Sequence, residues 1–329
     1  MLKLNELVAK TNYGPGLLEK LKGRHFLTLA DFQEEELRAF IDLGLILKEE
    51  LKKGHSINYL PGKTLGMVFE KPSTRTRVSF EAGIYRLGGM GLFLSKNDLQ
   101  LARKEPLKDT GRVLSSYLDG IMVRTHGHEL LKELAVYSSV PVINGLTDSF
   151  HPCQVMADLM TVKEEYGSLK GVKLAYLGDG NNMANSLMLG CSKMGMEIAV
   201  ATPRQFTPQE EIINTARSEA ERTGGKVSIM ADPQKALTNA DVITTDVWVS
   251  MGADNIKRER PWGELAKHQI NRVTLNKAKE KAIVLHCLPA HRGEEITDEV
   301  MEGKNSRIFR QAENRMHVQN AIMAVLMTD

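Results

Sequence analysis

Long apolar runs are missing from this chain, and no stretch approaches the roughly 18 uninterrupted apolar residues of a membrane span. An excess of one charge is missing as well: 43 Lys and Arg face 41 Asp and Glu, for a formal net charge of +2. With neither half markedly basic, a general nucleic-acid binder is disfavoured, and any positive field must be local. Cysteine is scarce. Cys153, Cys191 and Cys287 are odd in number, far apart and in no CxxC pair. That argues against a disulfide framework and a zinc cluster, and makes a reducing, cytoplasmic setting the expectation. The first residues, Met1 to Leu7, are broken by Lys3, Asn5 and Glu6, unlike the apolar stretch of a secretory signal.

What is present is an ordinary globular composition, 42% apolar and 26% charged, in 329 residues. That length exceeds one small core and predicts two domains. Strand-like apolar runs near residues 64–69, 91–94, 120–124 and 141–144 alternate with amphipathic helical patterns near 77–87, 107–118 and 129–137. The second half repeats the alternation, with strands near 172–177, 197–201, 226–230, 242–246 and 282–286 and helices near 183–194 and 209–222. A helix near 151–166 joins the two series, and a last helix near 312–327 follows the second. Strand and helix in turn predict α/β architecture: two parallel-sheet domains with an active-site cleft between them.

In open α/β sheets, ligands bind beyond the carboxyl ends of the strands. The residues expected there are rich in chemistry. Lys71-Pro72-Ser73-Thr74-Arg75-Thr76-Arg77 lies where a strand turns into a helix, so hydroxyls, guanidiniums and helix N–H groups converge as a phosphate dianion requires. The glycines of a Walker A loop are missing, and a Ser N-cap followed by solvated arginines is the competing reading. Arg124 ends an apolar strand; alone it reads as a snorkelling arginine, but beside Arg75 it makes a second planar fork for phosphate. His151-Pro152-Cys153-Gln154 opens the connecting helix, with His151 and Gln154 on one face, suited to a carbonyl oxygen and an adjacent NH₂. A metal would need a second ligand at helical spacing there, and Asp148 is a poor one.

Gly178-Asp179-Gly180-Asn181-Asn182-Met183 imitates a dinucleotide fingerprint and fails it twice. Met183 stands at the third glycine, and the next strand ends without an acid for a ribose. Asn182 instead offers an amide at a helix N-terminus. Asp246 precedes a loop, Val247-Trp248-Val249-Ser250-Met251-Gly252, whose apolar character is unusual after a mere cap. In His286-Cys287-Leu288-Pro289, adjacent strand residues point to opposite faces, which argues against a Cys–His dyad. A buried structural thiol is the competing reading for Cys287.

In this order, these segments resemble the transcarbamylase family, and within it the ornithine carbamoyltransferases. The matching text is Phe69 to Arg77, Asn144 to Asp148 with His151 to Gln154, Gly178 to Asn182, Asp246 to Gly252, His286 to Pro289, and Ala312-Glu313-Asn314-Arg315. The similarity runs from about Lys22 to near the end of the sequence. It implies a carbamoyl-phosphate domain over residues 1–147 (plus about 314–329), an ornithine domain over 148–313, a last helix that returns to the first domain, and a homotrimer or an assembly of trimers. The reaction it implies is transfer of a carbamoyl group from carbamoyl phosphate to L-ornithine in arginine metabolism, with no cofactor, no metal, no nucleic acid and no membrane.

Carried over motif by motif, the resemblance assigns phosphate to Ser73, Thr74, Arg75 and Thr76, with Arg124 bridging phosphate and carbonyl. His151, Gln154 and Arg315 hold the carbamoyl end, with Pro152, Cys153, Cys287 and the Leu288 backbone beside it. Gln100 reaches a neighbouring subunit's site, and ornithine meets Asn182, Asp246, Ser250 and Met251. Arg75, Arg124, His151, Asp246 and Cys287 are the catalytic set. The chain departs from the family pattern at Ala102, where glycine is common, and in the charged segment 253–261.

Overall fold

The computed structural model describes residues 13, 15–99, 105–248 and 262–328. Gln100, Ala102, Ser250, Met251 and the segment 253–261 lie outside them. The principal elements are α1 (Glu34–Lys52), β1 (Thr64–Phe69), α2 (Thr74–Arg86), β2 (Met90–Ser95), α3 (Leu107–Tyr117), β3 (Gly120–Arg124), α4 (His128–Tyr137), β4 (Val142–Leu146) and α5 (Pro152–Tyr166). They continue with β5 (Lys173–Leu177), α6 (Asn182–Lys193), β6 (Glu197–Ala201), α7 (Glu210–Thr223), β7 (Lys226–Met230), β8 (Val242–Thr245), β9 (Ile283–His286) and α8 (Ile308–Leu326).

The chain forms two compact units, one running to Met160 and resuming at Glu313, the other spanning Thr161–Ala312. Each is built on an all-parallel sheet, as the alternation predicts. The sequence reading began the second domain at residue 148, before α5; the division falls inside that helix.

In the first unit the strand order is β2-β1-β3-β4. The central strands β1 and β3 are apolar along nearly their whole length because helices cover both faces of a parallel sheet. Val68, Ile121, Val123, Leu131, Leu134 and Val142 form one packed cluster between β1, β3, β4 and α4. Each such side chain contributes about 1.5–3 kcal/mol by leaving water. Consecutive strands lie on opposite sides of β1, so the topological switch falls between β1 and β3, where a parallel α/β sheet opens a crevice for ligands.

The last helix returns to this unit, as the resemblance implied. Buried Lys48 of α1 bonds Asn314 and pairs with Glu313 on α8. The Leu326 carbonyl accepts from the Gly23 N–H at 3.0 Å.

The second unit has the order β7-β6-β5-β8-β9, with its switch between β5 and β8. Its core joins Leu177, Ala199, Ile243, Val284, Ile296 and Ile308. Gly180 has one conformational reason to be glycine. A Cβ there would stand 2.1 Å from the Phe206 carbonyl oxygen, and the Gly180 N–H donates to that oxygen at 3.0 Å. The glycine that imitated a nucleotide motif thus serves a close backbone approach.

Gly83 on α2 lies under α8, and an added Cβ would fall 2.4 Å from Asn320 Oδ1 and 3.2 Å from Met323 Cε. On an exposed helix Gly→Ala gains about 1 kcal/mol. Here Gly83→Ala is expected to cost about 1–3 kcal/mol through overpacking, read as a lower midpoint of thermal unfolding. A raised midpoint would mean that α8 does not press on α2.

Candidate active site

Each unit carries polar residues at its switch point, and the two groups differ in chemistry. In the first, the chain leaves β1 and Ser73 caps α2, its Oγ accepting the Thr76 N–H at 3.2 Å. The helix therefore starts at Thr74, three positions ahead of the expected 77, because its polar first turn gives no apolar signal to read. Thr74, Arg75 and Thr76 occupy that first turn, whose N–H groups have no partners within the helix ladder.

The Thr76 hydroxyl is a meeting point. It accepts from Arg315 Nη2 at 2.8 Å and from Arg124 Nη1 at 3.5 Å. Ser73 Oγ donates to it at 3.1 Å. Arg315 also donates to Gln154 Oε1 at 3.2 Å, and the Gln154 amide is held in turn by Asp158 Oδ1 at 3.1 Å. His151, buried just before α5, feels these cations. Burial first, then Arg315, Arg124 and Arg75, holds its imidazole well below the usual 6.5. Near pH 7 His151 is therefore neutral, able to donate one N–H without adding a charge. The unit thus gathers guanidiniums, hydroxyls and a helix N-terminus for a dianion, with a neutral imidazole and an amide for a carbonyl group and its NH₂.

Cys153 gives a ligand little through its side chain. The thiol is fully buried and donates to the Asn144 carbonyl at 3.4 Å; burial pushes its pKa up to about 12, against the opposing pull of Arg315. Its backbone and that of Pro152 remain at the start of α5. Glu70, within the Phe69 to Arg77 motif, ties the chain beyond β1 to the chain beyond β3. It accepts from Lys96, Thr125 Oγ1 and the His126 N–H. Burial raises the Glu70 carboxyl, but these donors and the Lys96 charge outweigh it and hold the pKa down at about 2.

In the second unit, Asp246 follows β8 and is nearly buried. Its Oδ1 accepts from the Cys287 thiol at 2.9 Å and from the Val247 N–H at 2.8 Å. Its Oδ2 accepts from Asn181 Nδ2 at 2.7 Å. Asn181 was missed as a site residue. Its Oδ1 caps α6, accepting from Met183 N and Ala184 N, while its amide aims the carboxylate. Asn182, the candidate, is the first residue of α6 and half-buried. His286 turns from Cys287 toward Glu295 at 3.1 Å, so no Cys–His dyad forms.

Among the described residues, one group could hold a metal ion: His291, Glu294 and Glu295, whose ligand atoms lie within 4.8 Å of one another. Glu295 already accepts from His286 and the His291 N–H, and His291 pairs with Glu294 at 3.3 Å. That group is separate from the Asp246–Cys287 contact.

Residues 24–164 match the carbamoyl-P binding domain, and residues 170–326 the Asp/Orn binding domain, of aspartate/ornithine carbamoyltransferases. The chain belongs to this family. A curated relative, the ornithine carbamoyltransferase of Oceanobacillus iheyensis, is 54% identical over 94% of this chain and 96% of its own length. Among solved structures, the ornithine carbamoyltransferase of Pyrococcus furiosus superposes with a TM-score of 0.91 at 48% identity, covering 93% of this chain and 98% of that one. That of Gloeobacter violaceus gives 0.81 at 49% identity, covering 92% and 99%. The Asp246 group of this carbamoyltransferase thus falls in the matched Asp/Orn segment, and the Thr76 group in the carbamoyl-P segment save for Arg315, which α8 supplies.

The state of His151 is open to measurement. Its folded pKa is lowered, so on acidification the unfolded chain takes up the proton first. The contribution of His151 to stability is full above about 6.5 and erodes as pH falls below it. Inorganic phosphate bound at Ser73–Thr76 offsets the guanidinium charge and is expected to raise the His151 pKa in a histidine NMR titration. An unmoved His151 resonance at saturating phosphate would place the anion elsewhere.

Proposed function

We propose that this chain transfers the carbamoyl group of carbamoyl phosphate to the δ-amine of L-ornithine, giving L-citrulline and phosphate. The observation that carries the reading is the Arg124 guanidinium on the Thr76 hydroxyl, both in the segment matched to carbamoyl-phosphate binding, joined there by Arg315 from the last helix. The curated relatives bear the name of that activity at about half identity.

In this reading Ser73, Thr74, Arg75 and Thr76 grip the leaving phosphate, and Arg124 spans phosphate and carbonyl. His151, Gln154 and Arg315 hold the carbamoyl oxygen and NH₂, with Pro152, Cys153, Cys287 and the Leu288 backbone beside them. Ornithine contacts Asn182, Asp246, Ser250 and Met251. An alkylammonium has a pKa near 10.4, so only about 0.1% is nucleophilic near pH 7.4, a deficit of about 4 kcal/mol. The Asp246 carboxylate, holding the Cys287 thiol, orients the amine and takes up its proton without a covalent cysteine intermediate. Arg75, Arg124 and neutral His151 stabilise the tetrahedral oxyanion and the departing phosphate. Asp246 also favours ornithine over aspartate, because a carboxylate side chain would meet like charge there.

The same reading makes the protein a cytoplasmic homotrimer in which Gln100 serves a neighbouring site. What supports association is the first unit's surface. β2 is an edge strand, and Met90 is 56% and Tyr85 78% exposed. Val78, Leu92, Phe93, Val113 and Tyr117 add further exposed apolar area. Uncovered apolar edges of this kind favour self-association. No described helix is long and apolar enough to cross a membrane.

A colorimetric citrulline assay with ornithine, putrescine and aspartate as rival acceptors tests the reaction, and product is expected from ornithine alone. Arg75→Ala and Arg124→Ala should each lose at least about a hundredfold in kcat/KM, while Cys287→Ser keeps substantial activity. The rate should climb with pH through the neutral range as the amine deprotonates. A trapped carbamoyl-cysteine on Cys287 would overturn the relay. Sedimentation of the wild-type protein as a monomer at micromolar concentration would overturn the trimer.

A further inference from the structure

We infer that His286 and Glu295 are positioning residues that hold the Cys287-Leu288 turn in the shape the transfer needs; this rests on the carbamoyl-transfer reading above. Both side chains are fully buried. Leu288 has φ +57°, a left-handed conformation that a branched side chain avoids. Something must over-determine it.

The Leu288 N–H donates to His286 Nδ1 at 2.8 Å. A backbone N–H can only donate, so Nδ1 carries the lone pair and the ring proton sits on Nε2. From there it is donated to Glu295 Oε1 at 3.1 Å. The same oxygen accepts the His291 N–H at 2.6 Å. One carboxylate and one imidazole thus bracket the turn at residue 288 and again at residue 291.

Glu295 is itself fixed through the main chain. Its carbonyl accepts the Ile270 N–H at 2.8 Å, and the Ile270 carbonyl accepts the Thr297 N–H at 2.9 Å. A rigid segment therefore sets the tautomer of His286, and His286 sets the backbone of Leu288. On the opposite strand face, Cys287 reaches Asp246. Turning Leu288 out of the left-handed region would swing its carbonyl and the Cys287 thiol together. A pair serving packing alone would be matched by apolar side chains of like volume. The polar pair adds direction, as an orienting carboxylate does for a working histidine.

Paired substitutions in the full-length protein separate the two hydrogen bonds. In His286→Asn, the amide oxygen falls near Nδ1 and can keep the Leu288 contact. In His286→Gln, the amide nitrogen falls near Nε2 and keeps only Glu295. His286→Gln is expected to lower kcat by about 10- to 100-fold, the scale of an ångström misplacement, with the ornithine KM within about twofold of wild type. His286→Asn should retain clearly more of kcat, and Glu295→Gln should fall between them.

In ¹⁵N-histidine spectra, wild-type His286 should show a protonated Nε2 and an accepting Nδ1, a pattern that Glu295→Gln blurs. This spectrum and Glu295→Gln carry the test should a His286 variant not fold. Equal losses in both His286 variants that track thermal stability would overturn the inference, as would a wild-type ring protonated at Nδ1. A wild-type protein that makes no citrulline would instead overturn the proposed reaction, and the tautomer measurement would still report on the pair.

Discussion

Two guanidiniums sharing one hydroxyl is the contact on which the first unit's chemistry rests. Thr76 is fixed by the Ser73 cap, Arg124 by the end of β3, and Arg315 by the returning helix α8. Like charges drawn this close repel unless an anion joins them. The strain shows in His151, which burial and these cations keep from protonating. A dianion placed between them would turn that repulsion into attraction. Glu70 supports the arrangement from behind, stapling the segments after β1 and β3 so that Arg124 stays aimed.

The second unit solves a different problem with an opposite charge. Asp246 accepts from a thiol, a backbone N–H and an amide at once, and is aimed by three donors of which none is a full cation. A carboxylate so held has both oxygens fixed in direction by its donors. Asn181 does two tasks from one side chain, its oxygen capping α6 and its nitrogen steering Asp246. The guanidinium cluster and the Asp246 carboxylate thereby stand on separate sheets. Each set stands at the point where its strand order reverses.

Much of this was legible in the sequence, and the reasons are specific. Parallel strands buried on both faces read as continuous apolar runs, so β1, β3 and β6 could be placed within a residue or so. The start of α2 could not, because Thr74-Arg75-Thr76 is polar and carries no periodic signal. The candidates Arg75, Arg124, His151, Gln154 and Arg315 could be named from motif order, yet the meeting of Arg124 and Arg315 on Thr76, with Gln154 behind Arg315, needs three dimensions. Asn181 lay one residue from a named candidate and went unnoticed, since a cap and a ligand look alike in text. Glu295 and His286 were invisible as a pair: nothing in a sequence says which carboxylate a histidine faces.

The distance along the chain between partners has a consequence for how the protein is made. Thr76 and Arg315 are 239 residues apart. On the ribosome the first sheet can close long before Arg315 is made, and the contact of Arg315 with Thr76 must wait for α8. Domains fold as units during synthesis, and late long-range contacts are slow to form. The nascent first unit is therefore a sheet that still lacks one of the guanidiniums on Thr76. That contact forms only with the last helix, so it is among the last the unit can gain during synthesis.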